Sequence, residues 1–354
     1  MATQSHSIHD LLLPCLAGEP LPDLSRQQLE VDLLTNPDIC GAFGITPETV
    51  GEAVERRSQL LRALYPSLQK LCCDAWQWPA IPMETLWSLW LPLAQQLASH
   101  HQSLGRPLVQ GILGGQGTGK TTLAAILSCI LSGLGIRVCC LSIDDLYKTH
   151  ADRMKLRQVD PRFVWRGPPG THDVDLGLAV LQQLRQAAPN EPVQVPRFDK
   201  SLHQGSGDRT TPETVQGVGV VLFEGWFVGA RPIDPQRFDQ APSPIDTDAD
   251  RAFAREINQR LQAYLPLWDQ MDRLMVLYPA DYRLSQQWRR EAEQVMKDQG
   301  KSGMSDAEIE QFVTYFWRSL HPDLFITPLC HDSKRVDLVV EINANHAPGR
   351  IYRP

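Results

Sequence analysis

The chain has 354 residues, of which 42% are hydrophobic and 21% are charged, so its composition is that of a folded globular protein. The net charge of −7 at pH 7 argues against a dedicated nucleic-acid-binding protein, because such proteins usually carry a basic surface. No run of 18 apolar residues occurs, and the first twenty residues lack the basic and apolar segments of a secretory signal, so we expect neither a membrane protein nor a secreted one.

The eight cysteines are not spaced like metal ligands or like a disulfide framework. None forms a C-x-x-C pair, and two pairs are adjacent in the sequence. Buried, reduced thiols are typical of proteins that work in a reducing compartment. We therefore predict a cytoplasmic protein. The sequence identifies no protein partner.

The first hundred residues are predicted to be helical. Thr46-Pro47-Glu48 has the residue types that commonly begin a helix, and apolar residues follow at helical spacing over 50–64. A second helix is predicted over 83–100. Because this part contains no cluster of titratable residues, we predict that residues 1–104 form a structural helical extension.

From residue 105 onwards, short apolar runs alternate with helical segments. This alternation predicts an α/β domain over 105–354, with a central parallel sheet covered by helices on both faces. The Pro- and Asp-rich segment 231–250 is predicted to be a loop. The predicted strands are 108–113, 136–143, 217–223, 274–278 and 336–342, and the predicted helices are 121–132, 173–188, 250–265, 281–299 and 306–320.

A phosphate-binding loop follows the first predicted strand. Residues 114–121 (GGQGTGKT) match G-x-x-x-x-G-K-[ST] between a strand and a helix, the context that this motif requires, and indicate a three-layer P-loop NTPase fold. Glycines allow successive backbone N–H groups to converge on phosphate oxygens. Lys120 is expected at the β and γ phosphates, and the Thr121 hydroxyl at Mg²⁺. The predicted nucleotide-binding residues are Gly114, Gly115, Gln116, Gly117, Thr118, Gly119, Lys120, Thr121 and Thr122.

The expected nucleotide is ATP. Recognition of guanine by P-loop proteins commonly uses an Asn-Lys-x-Asp motif. No Asn in this chain is followed by Lys, so GTP is not indicated.

Two predicted strands end in acidic residues at the edge of the sheet where ligands bind. The second strand leads into Asp144-Asp145, and the third leads into Glu224. A carboxylate in this position can hold magnesium or accept the proton of an attacking hydroxyl group. We predict that Asp144 is the general base and that Thr121, Asp144 and Glu224 surround the metal. Asp145 is the alternative to Asp144.

Basic residues in the next segments are candidates for binding an anionic acceptor. Arg166 and His172 flank a turn rich in Gly and Pro that leads into a helix. Arg197 and Lys200 lie in the stretch 196–200, which leads into a charged loop over 205–209 that contains Arg209 and that we predict to be flexible. Hydrogen bonds between such cations and a carboxylate are among the stronger ones in proteins. We therefore predict a site for a small carboxylate or phosphate compound.

A basic pair, Arg289-Arg290, lies on the helix predicted over about 281–300. We predict that this helix is a lid and that either arginine neutralises charge on the transferred phosphoryl group. An arginine used in this way contributes about 10³–10⁵ in rate in NTPases that depend on one.

Several motifs together resemble D-glycerate 3-kinase of plants and cyanobacteria, within the P-loop kinase group of phosphoribulokinase, uridine kinase and pantothenate kinase. The resemblance covers roughly residues 105–343 and does not account for the helical N-terminal third. Its most specific motifs are RGPPGTHD at 166–173 and GDR at 207–209. The others, besides the phosphate-binding loop, are SIDDLY at 142–147, PRFDK at 196–200, FEGW at 223–226, WRREAE at 288–293 and GMSD at 303–306.

The resemblance implies ATP-dependent phosphorylation of the 3-hydroxyl of D-glycerate to 3-phosphoglycerate, as in photorespiration or glycerate salvage. It implies that Asp144 is the base, although Asp145 stands where uridine and pantothenate kinases have Ser or Gly. The implied catalytic residues are Asp144, Lys120, Arg289 and Arg290, and the implied substrate-binding residues are Arg166, His172, Arg197, Lys200, Asp208 and Arg209.

Two alternatives stay open. A P-loop kinase for ribulose 5-phosphate, a nucleoside or pantothenate would differ only in its acceptor site. A P-loop ATPase that acts as a switch or assembly factor would hydrolyse ATP in response to a protein partner and would be indifferent to small hydroxy acids. In none of these hypotheses do we expect a nucleic acid or a membrane as partner.

Overall fold

The structure, a computed structural model, describes residues 7–298 and 304–354. The last two residues of the predicted lid and Gly303 of the GMSD motif lie outside the described residues. Within residues 7–104 the chain is helical, as predicted. The α-helices there are α1 (Ile8–Leu16), α2 (Asp23–Leu34), α3 (Pro37–Phe43), α4 (Val50–Gln69), α5 (Met83–Thr85) and α6 (Leu91–Leu104), with π-helical turns at Lys70–Ala75 and Leu86–Trp90.

Local sequence explains where these helices begin and end. The Asn36 side chain caps α3 by accepting a hydrogen bond from the backbone N–H of Ile39, and Gly44 ends this helix at φ +65°. The predicted start of α4 at Thr46 was wrong by one turn. Thr46 donates its N–H to the Thr49 hydroxyl at 2.9 Å, so residues 46–49 form a turn before the helix.

The rest of the chain alternates strands and helices. The strands are β1 (Leu108–Gly114), β2 (Arg137–Ser142), β3 (Val193–Asp199), β4 (Asp208–Val215), β5 (Val218–Gly225), β6 (Arg273–Pro279), β7 (Leu338–Ile342) and β8 (Pro348–Tyr352). The α-helices are α7 (Lys120–Gly133), α8 (His150–Val159), α9 (Val174–Gln186), α10 (Asp248–Arg260), α11 (Leu265–Trp268), α12 (Leu284–Asp298), α13 (Asp306–Ser319) and α14 (Pro322–Phe325).

The main sheet has the strand order β2-β5-β1-β6-β7-β8. The first five of these strands are parallel, which confirms the predicted parallel sheet, and β8 adds an antiparallel edge strand that the sequence did not predict. Successive side chains of β1 alternate between two hydrophobic clusters: Leu108 and Ile112 face one cluster, and Val109 and Leu113 face the other. Helices cover both faces, so the predicted three-layer P-loop fold is confirmed.

The predicted flexible loop over 205–209 was wrong for Asp208 and Arg209, which begin a strand. Here β3 and β4 pair as a separate antiparallel ribbon, in which Phe198 lies opposite Arg209 and Asp199 lies opposite Asp208. The ribbon was missed because Pro196 lacks a backbone donor and because β4 is exposed along most of its length, so it lacks the apolar alternation of a core strand. The ribbon stands over the same edge of the sheet as the phosphate-binding loop.

The helical extension packs directly on the α/β part of the chain. One hydrophobic cluster contains Leu61 and Trp87 from the extension together with Ile126 and Leu127 from α7. Gly133 at the end of α7 allows close approach, because a Cβ there would lie 2.3 Å from Leu64 Cδ2. The predicted boundary after residue 104 stays a prediction. No helix within the described residues is long and apolar enough to cross a membrane.

Candidate active site

The phosphate-binding loop lies between β1 and α7. Gly117 and Gly119 have φ values of +79° and +82°, in the left-handed region that favours glycine. The Lys120 ammonium donates to the Gly115 carbonyl oxygen at 2.9 Å, and the Thr118 hydroxyl donates to the same oxygen at 2.9 Å. Burial lowers the pKa of Lys120, and the nearby carboxylates of Glu224 and Asp144 oppose this shift. The ammonium of Lys120 therefore lies beside the loop, and the carboxylates of Glu224 and Asp144 lie near that ammonium.

Trp288 on α12 closes one side of this loop. Its side chain is 2% exposed, and its indole N–H donates to the Ala344 carbonyl oxygen at 3.0 Å. His346, in the turn between β7 and β8, lies 3.0 Å through Nδ1 from the Gly117 carbonyl oxygen and 3.3 Å through Nε2 from the Glu291 carboxylate. Helix α12 and the last hairpin therefore both contact the loop at Gly117.

Replacing Gly117 with Ala should cost more stability than the same change at Gly119. Both changes place Ala at a positive φ, which costs about 1–2 kcal/mol. At Gly117 the new Cβ would also lie 2.5 Å from Trp288 Cβ, whereas at Gly119 it would meet nothing within 4 Å. We expect losses in the free energy of unfolding of about 2–5 kcal/mol for Gly117→Ala and about 1–2 kcal/mol for Gly119→Ala. Urea denaturation without nucleotide measures both, and equal losses would contradict the contact with Trp288.

Asp144 lies in a 3₁₀ turn, Ile143–Leu146, immediately after β2. Its carboxylate is 2.6 Å from the Lys200 ammonium on the turn that follows β3. Burial by itself would raise the pKa of Asp144, but the ion pair with Lys200 outweighs burial and holds the pKa below its usual value. The structure thus presents Asp144 as an ionised carboxylate, which a general base requires.

Asp145 has a different environment from its neighbour. Its carboxylate accepts the backbone N–H of Ser142 at 3.0 Å, as part of a capping box, and it pairs with Arg197 at 3.0 Å. Burial raises its pKa, against the opposing effects of Ser142 and Arg197. These contacts hold the turn in place and leave Asp144 as the acid better placed for chemistry.

Glu224 is nearly buried on the inner strand β5, opposite Ser142 of β2. Its carboxylate lies 3.5 Å from the Thr121 hydroxyl at the start of α7. One hydroxyl and one or two carboxylates beside a phosphate site are the usual protein ligands of Mg²⁺, which keeps most of its other positions for water and phosphate. Residues 7–298 and 304–354 contain no cluster of three or more His, Cys, Asp or Glu side chains that could hold a metal by itself.

Three of the predicted acceptor-binding residues form ion pairs or hydrogen bonds within the ribbon and with residues next to it. Arg197 pairs with Asp145 at 3.0 Å and with Glu213 at 2.6 Å. Arg209 pairs with Asp173 at 2.7 Å and donates to the Tyr147 carbonyl oxygen. Asp208 accepts the backbone N–H of His150 at 2.9 Å and lies 3.1 Å from His203. These ion pairs and hydrogen bonds fix the ribbon against the turn that carries Asp144.

Arg166 is different, because among the described residues it contacts no carboxylate. It donates to the Gly205 carbonyl oxygen at 2.6 Å, and its guanidinium lies 5.9 Å from the ring centre of Tyr147 and 5.7 Å from that of Phe198. Tyr147 follows Asp144 by three residues. Arg166 is therefore a cation near Asp144 that has no carboxylate partner among the described residues.

Sequence reasoning missed Arg153 on α8. Its guanidinium is buried, and it donates to the carbonyl oxygens of Lys148, Ser206 and Gly207. It thereby fixes the loop at the tip of the ribbon. An arginine on a polar helix gives no sequence signal for such a role.

The two arginines of α12 differ in their surroundings. Arg289 forms an ion pair with the buried Glu293 and lies 5.3 Å from the ring centre of Phe312, so it belongs to the contact between α12 and α13. Arg290 is exposed and forms no ion pair with another described residue.

Comparison with known proteins identifies the family. No family model matches the chain. A solved structure of D-glycerate 3-kinase from Cryptococcus neoformans is 30% identical, with a TM-score of 0.66 over 74% of this chain and 96% of that one. The chain belongs to the D-glycerate 3-kinase family.

Curated relatives agree with this assignment. The chloroplastic D-glycerate 3-kinase of Arabidopsis thaliana is 29% identical, over 92% of this chain and 74% of the plant protein. A kinase of Schizosaccharomyces pombe, mug58, described as uncharacterized, is 33% identical, over 60% of this chain and 79% of its own. The P-loop, the acids and the relatives together show a small-molecule kinase, as the sequence predicted.

Proposed function

We propose that this member of the D-glycerate 3-kinase family transfers a phosphoryl group from ATP to the 3-hydroxyl of D-glycerate and forms 3-phosphoglycerate. The observation that carries the proposal is that two groups lie close to Tyr147: Asp144, an acid near Lys120 of the phosphate-binding loop, and Arg166, a cation with no carboxylate partner among the described residues. Glycerate has a hydroxyl group at one end and a carboxylate at the other, and these two groups match the two side chains.

The phosphate groups of ATP are proposed to lie on residues 114–122, with Lys120 turning from the Gly115 carbonyl oxygen to the β and γ phosphates. Mg²⁺ fits beside Thr121 and Glu224, with Asp144 close by, and when bound it would neutralise phosphate charge. Helix α7 begins at this loop and directs its free backbone donors toward the phosphates.

In the proposed reaction, Asp144 accepts the proton of the 3-hydroxyl while that oxygen attacks the γ-phosphorus, the bond from the γ-phosphorus to the β–γ bridging oxygen breaks, and ADP leaves. Lys200 must release Asp144 for this step, and as an exposed cation on the turn after β3 it can then face the substrate. Lys120 and Arg290 stabilise the charge on the transferred group. Helix α12, which already contacts Gly117 through Trp288, excludes water that would otherwise hydrolyse ATP.

A coupled assay with D-glycerate, L-glycerate and ribulose 5-phosphate tests the proposal, provided that the position of the new phosphate is determined. We expect turnover with D-glycerate and a product phosphorylated at the 3-position. Preference for ribulose 5-phosphate would favour the alternative acceptor. Hydrolysis of ATP that no acceptor stimulates would favour the switch ATPase.

Replacing Arg166 with Met should raise the KM for D-glycerate about 10–100-fold, because a charge-assisted hydrogen bond contributes about 1.5–3 kcal/mol. The KM for ATP should change little, since Arg166 lies on the acceptor side. Steady-state kinetics with glyceramide, the uncharged amide of glycerate, provide the control. Wild type should prefer the acid, and the variant should lose this preference. An unchanged preference would contradict the carboxylate contact.

We propose the cytoplasm as the compartment and photorespiration or glycerate salvage as the setting. All eight cysteines are free thiols, which fits a reducing environment. Residues 1–104 are proposed to be a structural extension of the kinase. No nucleic-acid or membrane partner is proposed.

A further inference from the structure

The imidazole of His172 is buried, with one ring nitrogen partnered and one not. The residue is 2% exposed. Its Nδ1 lies 2.8 Å from the Tyr264 hydroxyl oxygen, whereas its Nε2 is buried and has no hydrogen-bond partner among the described residues. A buried donor or acceptor without a partner costs about 1–3 kcal/mol. Such a group is informative because it marks a place where a partner is missing.

The hydrogen bonds of Tyr264 favour one tautomer of His172. The backbone N–H of Gly170 donates to the Tyr264 oxygen at 2.9 Å, and the same hydroxyl lies 2.8 Å from His172 Nδ1, which can accept its hydrogen. Burial lowers the pKa of His172 to about 3, so the ring is neutral. A neutral ring whose Nδ1 accepts carries its proton on Nε2. In this tautomer the unpartnered Nε2 is a donor.

The His172 ring lies next to the proposed acceptor site. It stacks on the Tyr147 ring with centres 4.5 Å apart, and the two residues form a β-bridge. Asp144 is the charged group that most strongly opposes the effect of burial on the pKa of His172. The Arg166 guanidinium lies 5.9 Å from the centre of the same Tyr147 ring. Asp144, Arg166 and His172 therefore all lie close to Tyr147.

Given the proposed function, the three groups match the three oxygen functions of glycerate. Asp144 takes the 3-hydroxyl and Arg166 takes the carboxylate, which leaves the 2-hydroxyl. A neutral N–H group suits a neutral hydroxyl oxygen, whereas a carboxylate is better matched by a cation. We propose that His172 is a specificity-determining residue whose Nε2–H donates a hydrogen bond to the 2-hydroxyl oxygen of the acceptor. The site would then select hydroxy acids with an oxygen on the middle carbon.

The test compares D-glycerate with 3-hydroxypropanoate, which keeps the carboxylate and the 3-hydroxyl but lacks the 2-hydroxyl. Wild type should favour D-glycerate by about 10–100-fold in kcat/KM, because the analogue leaves a buried donor unpaired. H172F should lose most of this preference, because its kcat/KM for D-glycerate should fall. H172N keeps a hydrogen-bond donor and should retain part of the preference. The proposal is overturned if wild type shows no preference or if H172F lowers kcat/KM equally for both acids.

Nitrogen-15 NMR of the wild-type enzyme tests the same idea without a variant. We expect a neutral His172 ring protonated at Nε2, whose Nε2 resonance shifts with D-glycerate but not with 3-hydroxypropanoate. A ring protonated at Nδ1, or equal shifts with both acids, would overturn the inference. Turnover of neither acid by wild type would instead refute the proposed function, on which the inference rests.

Discussion

Replacing Asp144 with Asn should remove most phosphoryl transfer and leave nucleotide binding nearly unchanged. A general base contributes about 10²–10⁴ in rate, and Asn keeps the size of the side chain without its basicity. We therefore expect kcat to fall by about this factor in the coupled assay, with the Kd for ATP by calorimetry within about twofold of wild type. In wild type, Lys200 holds the pKa of Asp144 low, so the base should stay ionised at neutral pH and lose its function only when the pH falls below the usual range for Asp.

Asp145 supplies the matched control, because it is the adjacent acid in the same turn. Asp145→Asn alters an acid whose contacts are to Ser142 and Arg197, so we expect a loss of stability and a smaller loss of kcat. If Asp145→Asn abolished turnover and Asp144→Asn did not, the two roles would have to be exchanged. Near-normal kcat in both variants would refute a carboxylate base in this turn.

Replacing Lys120 with Met should lower kcat by at least about 10²–10³, the effect of removing one preorganised donor from a site of developing charge. The affinity for ATP should fall as well, because Lys120 is the cation of the loop that the phosphates would meet first. Single-turnover kinetics measure the loss in the rate of phosphoryl transfer, and calorimetry measures the loss in affinity for ATP.

Lys155→Met is the control for loss of a lysine charge. Lys155 is an exposed residue of α8 whose ion pair is with Asp152 on the same helix, so this variant should behave like wild type. An equal loss of activity in the two lysine variants would point to a general effect of charge, and unchanged activity in Lys120→Met would exclude its contact with the transferred group.

The sequence predicted those parts of the molecule that depend on residue patterns within short segments of the chain. The phosphate-binding loop depends on glycines at fixed spacing between a strand and a helix. Asp144 follows the apolar residues of β2, and Glu224 lies near the end of the buried strand β5. Parallel strands buried on both faces have a continuous apolar pattern, which is easy to recognise. The β3–β4 ribbon has no such pattern, because it lies outside the main sheet and β4 is mostly exposed.

The sequence could not predict which cations have partners within the protein. Arg166, Arg197 and Arg209 all lie in motifs of the family. The structure gives Arg197 and Arg209 carboxylate partners that are distant in sequence, and leaves Arg166 without one among the described residues. Pairing over such distances depends on how the ribbon folds onto the turn after β2. It becomes visible only when the tertiary structure is known.

The close packing of α4 on α7 makes the first hundred residues relevant to activity. Helix α7 begins at Lys120, and its side chains Ile126 and Leu127 share one hydrophobic cluster with the extension. A substitution at Leu64 or Trp87, far from any reacting atom, would weaken the packing that holds α7 in position. Helix α7 is the helix whose first turn faces the phosphates. A variant of this kind should unfold at a lower temperature and bind nucleotide more weakly. Genetic screens for loss of function should find it as readily as substitutions in the turn that carries Asp144.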